Sequence, residues 1–448
     1  MKNSAKSDKV MSVPWCYMPP EMHFNSPFDL KDAFFAFIET RLQDILADEQ
    51  ADLLLPSKDK FEKMTNSKGE IILVPTALDM SFVYRGQTTF YEACLPTLYR
   101  KTKTELEMLV ERLRCCEFEE YLRQMPEVKA FEDNSFKIDY LGLSQHYGLQ
   151  TDVIDLTNDL DVALFFAMCN MSRDGVTFYP QTEDKEYIGY LYAVPTFHFS
   201  SVCGANTLYD GKLSVIGMQP FYRPGAQHGF GLHLEKGETL TGLLYSFSYT
   251  KEDSERFYSY FDQGTRLWHE DEISRVAREI STTKQFSYDA LDKCLRKYFK
   301  GTCRERKEIV PKLRALGCAF QRESLWKIDD KALAWQYIAF EKTGGVTGIN
   351  NIVQRCTMTQ GGPSKSCRDT QILFAEWMLR LTTSGCRAPE NYASPFENHE
   401  SAGSGVWGYR FKPYTQGEQT KPNPLTGKVD KWQGDWTILL GQLFDKLT

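Results

Sequence analysis

The chain has no run of about 18 consecutive apolar residues, the length an α-helix needs to cross a bilayer. Its opening residues, MKNSAKSDKVMSVPW, lack the sustained apolar core of a secretory leader. Membrane spanning and secretion are therefore not expected, and the cytoplasm is the expected compartment. Its 12 cysteines and 7 histidines include no CxxC pair and no His/Cys cluster at zinc-ligand spacing, so no metal site is expected. The cysteines, scattered from Cys16 to Cys386, read as reduced thiols, and the adjacent Cys115 and Cys116 read as small hydrophobes on a helix. A basic excess is missing too. With 53 Lys and Arg against 60 Asp and Glu, the net charge of -7 provides no global field for gathering nucleic acid or anionic membrane. No GxxxxGK(S/T) loop, HExxH, GxSxG elbow or GxGxxG after a strand occurs, which removes the ATPase, zincin, hydrolase and Rossmann readings.

What is present is apolar and aromatic material in quantity. The 448 residues include 23 Tyr, 29 Phe and 8 Trp, which supply the buried surface that disordered chains lack. Such a length predicts two or three structural units. Phe34, Phe35, Phe37, Ile38, Leu42, Ile45 and Leu46 recur at helical spacing, predicting a helix over 28–49. Strands are expected near 70–74 and 81–86, with Pro75 limiting the first ladder. The span from Lys101 to Gln124 has helical periodicity and neither Gly nor Pro. After it come a helix, a short strand, a turn, a second helix and two further strands, so the fold class is α+β. From 276 to 340 the apolar spacing is again helical, and Gly317 is a helix stop. The expected divisions are 1–69 as a helical extension, 70–342 as the main domain, and 343–448 as an irregular region with helices at 369–381 and 436–447.

Three constellations carry chemistry. In YRGQ, Tyr84 to Gln87, an Arg ends a strand and Gly86 allows a ligand or backbone to approach closely. The planar fork of Arg85 suits a phosphate, and it equally suits a structural pairing with a carboxylate. In QHYGLQTDVIDLTNDLDVALFFA, Asp155, Thr157 and Asn158 sit between a strand and a helix, where one of them is expected as an N-cap and the others are not needed for it. His146 reads either as a structural histidine or as a partner for a ribose hydroxyl. In FYRPGAQHGFGL, Arg223, Gln227 and His228 cluster on a turn. Glu270, Asp271 and Glu272 read as the acidic first turn of a helix.

YRGQ, PTLYR at 96–100, the 145–167 segment and RPGAQHGFGL at 223–232 together resemble the ordered landmarks of the FRG domain family, and 307–326 resembles its closing helix and strap. Gln150 and Asp152 stand where Pro and Arg or Lys are expected, and Leu156 where Trp is usual. These landmarks are more remotely similar to the ADP-ribosyltransferase fold of the Arg-Ser-Glu class, with mixed sheets and packed helices. That resemblance implies NAD as substrate, with Tyr84, Arg85, Gly86, Gln87, Thr157 and Arg223 binding it and Asp155, Gln227 and His146 as catalytic candidates. The acceptor it implies is a macromolecule, protein or nucleic acid, and the associated setting is bacterial conflict or anti-phage defence. Gln227 stands where the transferases carry their catalytic Glu, and an amide accepts no proton at neutral pH. An enzyme, either an ADP-ribosyltransferase or an NAD glycohydrolase, is thus one expectation. The alternative is a non-catalytic nucleotide-sensing or protein-interaction module whose tail, with Trp377, Trp407, Trp432 and Trp436, docks a partner. An RNA-directed activity is a third reading, disfavoured by the acidic charge.

Overall fold

The computed structural model describes residues 22–47, 61–65, 68–75, 82–195, 212–299 and 303–330, scattered positions to 340, and two short strands beyond. The N-terminal part runs β1 (His23–Phe24), α1 (Pro27–Ala47), β2 (Phe61–Thr65), β3 (Ile71–Pro75) and β4 (Phe82–Gln87). Next come α2 (Glu105–Leu122), α3 (Pro126–Asp133), α4 (Tyr140–His146), β5 (Val153–Thr157) and α5 (Leu160–Met168). The middle continues with β6 (Asn170–Met171), β7 (Phe178–Tyr179), β8 (Tyr187–Pro195), β9 (Leu213–Val215), α6 (Tyr222–Ala226), β10 (Gly229–His233) and β11 (Leu243–Tyr249). The remainder is α7 (Lys251–Tyr260), α8 (Glu272–Thr282), β12 (Gln285–Ser287), α9 (Tyr288–Tyr298), α10 (Cys303–Ala315), β13 (Ala319–Gln321), β14 (Phe396–His399) and β15 (Gly408–Phe411). The class is α+β.

Seven strands form one sheet in the order β1-β11-β8-β4-β5-β10-β9, antiparallel throughout except where β1 lies parallel to β11. Side chains of a strand alternate between faces. Phe82 and Tyr84, with Leu191, Ala193, Tyr245 and Phe247, join Leu30 and Phe34 of α1, Leu164 and Phe165 of α5, and Phe257 of α7 in one buried cluster. Val83, Tyr192 and Val194 belong to a second, with Ile154, Leu156, Phe230 and Leu232, and with Leu122, Val128, Leu143 and Ile273 from α2, α3, α4 and α8. A smaller core of Leu109, Leu113, Leu291, Leu295 and Leu313 locks α2 to α9 and α10. The helix α1 is therefore built into the same core as β4 and α5.

The long helix expected from Lys101 is α2. It starts on a capping box in which Thr104 accepts from the Glu107 backbone N–H while Glu107 accepts from that of Thr104. The strand expected near 70–74 is β3, and it pairs with β2 in a separate ladder that ends at Pro75. The span 276–340 holds, besides helices, the short parallel pair β12–β13, whose three-residue strands are too brief to interrupt a helical pattern. Gly317, at φ +85°, ends the turn after α10. The helices expected at 369–381 and 436–447, and the tail tryptophans, lie outside the described residues. Among the described residues no helix is long and apolar enough to cross a membrane.

Candidate functional site

The sheet opens in its middle. β4 and β8 keep register from Phe82 to Gln87, whereas β4 and β5 are paired at Tyr84 and Thr157 alone. Arg85, the next residue along β4, reaches across the opening, and its Nη1 donates to the Asp155 carbonyl at 2.8 Å. A closed ladder would have satisfied that carbonyl with a backbone N–H. Arg85 forms no ion pair with a carboxylate among the described residues, and its Nε is buried without a partner. Two neighbours in the motif, Tyr84 and Gly86, are taken up by packing. Tyr84 is buried with its ring 5.6 Å from Phe34 and 6.0 Å from Phe82. A Cβ on Gly86 would lie 1.8 Å from the Ala163 carbonyl oxygen, so the close approach made there is that of the α5 backbone. Gln87 donates to the Cys94 thiol at 3.6 Å.

Arg85 reaches the Asp155 backbone, and the Asp155 side chain lies next to His146. Asp139 caps α4 by accepting from the Gly142 N–H at 2.9 Å and binds His233 of β10 at 2.5 Å, which sets α4 against the β5–β10 half of the sheet. Working against the upward pull of burial, His233 holds the Asp139 carboxyl well below the usual carboxylate range. At the other end of α4, His146 is 2% exposed and its ring touches Gly229, where a Cβ would lie 2.6 Å from Cε1. Its Nδ1 lies 2.8 Å from Gln227 Oε1, while Gln227 Nε2 donates to the Leu267 carbonyl at 2.9 Å. These bonds orient the amide, so the Gln227 oxygen accepts and His146 Nδ1 carries the proton. In the neutral ring Nε2 is then a lone pair, and it points at Asp155 Oδ1 across 3.7 Å. That is too long for a hydrogen bond, and both atoms are buried without a partner. With the ring neutral, two acceptors face each other. The second Asp155 oxygen accepts from Gln145 Nε2 at 3.1 Å, and the Asp155 side chain is one-third exposed, so it stands between the interior and the surface.

The other expected residues lie deeper. Arg223 is 1% exposed, its guanidinium 4.7 Å from the Tyr147 ring and 4.0 Å from Trp268, and it donates to the His146 and His269 carbonyls and the Ser274 hydroxyl. Burial holds its pKa below the ordinary Arg value. Gln227 is 5% exposed and engaged at both ends of its amide. Thr157 is buried, and its hydroxyl accepts from the Asp159 N–H at 3.0 Å, while Asp159 is the N-cap of α5. The structure thus brings Arg85, Asp155 and His146 together, places Gln227 and Arg223 behind His146, and assigns Thr157 to the turn before α5. The acidic group on α8 is a helix start: Asp271 is its N-cap, Glu272 binds Arg275, and Glu270 binds Arg278.

Residues 80–175 match the FRG domain family. No curated protein and no solved structure gives a significant match to the chain. The FRG stretch runs from just before β4, through α2, α3, α4 and β5, into the residues after α5. It holds Arg85, His146 and Asp155, and it ends before Arg223 and Gln227.

Within the FRG stretch two residues matter that were not singled out from the sequence. Gln145 is the hub beside His146: its Oε1 accepts from Thr97 Oγ1 at 3.0 Å and Thr151 Oγ1 at 2.7 Å, and its Nε2 fixes Asp155. Arg100, the last residue of PTLYR, lies in the electrostatic neighbourhood of Arg85 and Asp155. Both stand inside motifs visible in the sequence. Their partners come from other segments, and spacing along the chain carries no sign of them.

Proposed function

We propose that the FRG region binds NAD or a related dinucleotide in the opening between β4 and β5, as an ADP-ribosyltransferase-like module. The observation that carries this reading is the facing pair of acceptors, His146 Nε2 and Asp155 Oδ1. A ligand hydroxyl such as that of a ribose is a donor of the kind both atoms lack. Arg85 stands at the same opening with no carboxylate committed to it, and its fork suits a phosphate oxygen. If the bound NAD reacts, its glycosidic bond to nicotinamide breaks through an oxocarbenium-like state. Asp155 is the carboxylate nearest to stabilise that positive charge, and His146 Nε2 is the base available to a hydroxyl or water nucleophile. The nucleophile's proton then passes to Nε2, and neutral nicotinamide leaves with the bonding pair. A setting in bacterial conflict or anti-phage defence belongs to the same proposal and rests on the family resemblance.

Gln227 favours a second reading, a nucleotide-sensing module without transferase chemistry. The position where the transferase resemblance expects Glu holds a buried amide bonded to His146 and Leu267. One experiment tests both. The purified chain is incubated with labelled NAD, and free nicotinamide and bound label are followed beside Arg85→Ala. Release that disappears in Arg85→Ala supports the enzyme, and Arg85-dependent binding without release supports the sensor. Release or binding that is unchanged in Arg85→Ala removes the proposed site.

A further inference from the structure

We infer that Arg100, the last residue of PTLYR, is a second anion contact at the β4–β5 opening, and that Arg85 and Arg100 together take the diphosphate of the ligand. The inference rests on the dinucleotide reading and names the part of the ligand that the two arginines recognise. The segment Thr97–Tyr99 is a single helical turn anchored to the site at several points. Its Leu98 N–H donates to the Thr151 carbonyl at 3.0 Å, and its Thr97 hydroxyl donates to Gln145, the residue that also holds Asp155. Arg100 follows directly. Its Nε donates to the Leu95 carbonyl at 3.0 Å, which leaves the two terminal guanidinium nitrogens without a protein acceptor among the described residues. The side chain lies near the charges of Arg85 and Asp155.

Two guanidiniums lie near the Asp155 carboxylate, although the chain as a whole is acidic. Each fork binds one phosphate group in fixed geometry, and a pair of forks suits two linked phosphates better than one. The loop that leads from β4 toward PTLYR exposes Phe90 and Tyr91, and the Tyr192 hydroxyl binds the Tyr91 carbonyl at 3.5 Å. An exposed Tyr91 next to Arg100 offers a face to a heteroaromatic ring attached to such a diphosphate.

The test is calorimetric titration of the full chain with NAD, ADP, inorganic pyrophosphate, orthophosphate and adenosine. Wild type is compared with Arg85→Ala, Arg100→Ala and Arg100→Lys, with circular dichroism and thermal unfolding confirming that each variant is folded. The expected result is that Arg100→Ala weakens NAD, ADP and pyrophosphate by about tenfold or more, leaves adenosine unchanged, and is partly rescued by Arg100→Lys. NAD binding that requires Arg85 and is indifferent to Arg100→Ala overturns this inference and leaves the dinucleotide reading standing. Pyrophosphate or ADP binding that requires both arginines, with NAD no tighter than pyrophosphate, supports the arginine pair and removes the dinucleotide reading. No binding of any phosphate-bearing ligand to wild type overturns both.

Discussion

Gly229 sets how closely His146 can lie against β10. A methyl group there meets the imidazole at 2.6 Å and the Pro224 carbonyl at 3.1 Å, and the His146 ring is held at Nδ1 by Gln227. Gly229→Ala is therefore expected to lower stability by about 1–3 kcal/mol and to weaken NAD binding by displacing Nε2. Denaturant unfolding and ligand titration measure the two effects, and unchanged values of both would show that the imidazole is free to move. Gln227→Glu asks a different question. The new carboxylate keeps an acceptor for His146 Nδ1, while its other oxygen faces the Leu267 carbonyl at the distance where the amide donated, 2.9 Å. Loss of that donor in a buried place should cost about 1–3 kcal/mol and bring no new chemistry. Nicotinamide release that appears in Gln227→Glu would instead mark this position as the place of a catalytic carboxylate.

At the scale of elements, α4 is the part whose placement the site depends on, and its anchor is the Asp139–His233 pair. His233→Ala leaves the Asp139 carboxylate buried beside β10 without its cation, a loss of the order of 3 kcal/mol. Because α4 carries Gln145 and His146 at its far end, the same variant should weaken NAD binding. A variant that is destabilised and binds NAD as wild type would show that the site does not depend on this anchor. Long elements were legible in the sequence because periodicity accumulates over many residues: α1, α2, β4, β5 and α5 fall close to where the pattern puts them. The pair β12–β13 was hidden by its shortness, and β3 was legible as a strand while its partner β2 was not. Arg85, His146 and Asp155 were picked out from separate motifs, and the structure places them near one another. The inward placement of Arg223 and Gln227 was not legible, because it depends on Tyr147, Trp268 and Leu267, which lie on other elements. Gly86 suggested room for a ligand or a backbone, and only the position of α5 shows that a backbone takes that room.

For the whole molecule, stability should depend on pH through Glu127. This carboxyl near the start of α3 lies in the core beside Tyr121 and Tyr147, and burial pushes its pKa up to about 7. The folded chain thus holds a proton that the unfolded chain releases near the ordinary Glu value of about 4.3. Glu127 costs nothing at pH 4, and stability is lost as the pH rises through the folded-state value. The full penalty is of the order of 3 kcal/mol above pH 8. Glu127→Gln should unfold at a higher temperature than wild type at pH 8 and at nearly the same temperature at pH 4.5. Equal shifts at both values would mean that the residue acts through packing alone. The same comparison of stability with binding tests the central claim through Asp155→Asn. The asparagine keeps an oxygen for Gln145 and turns an N–H toward His146 Nε2, and a small closing of the 3.7 Å gap then supplies from within the protein the donor assigned to the ligand. The measurement is NAD titration alongside thermal unfolding of Asp155→Asn and wild type. The expected variant is more stable than wild type and no longer binds NAD. A less stable variant that binds NAD as wild type does would mean that His146 carries the second proton and closes the pair with Asp155 itself.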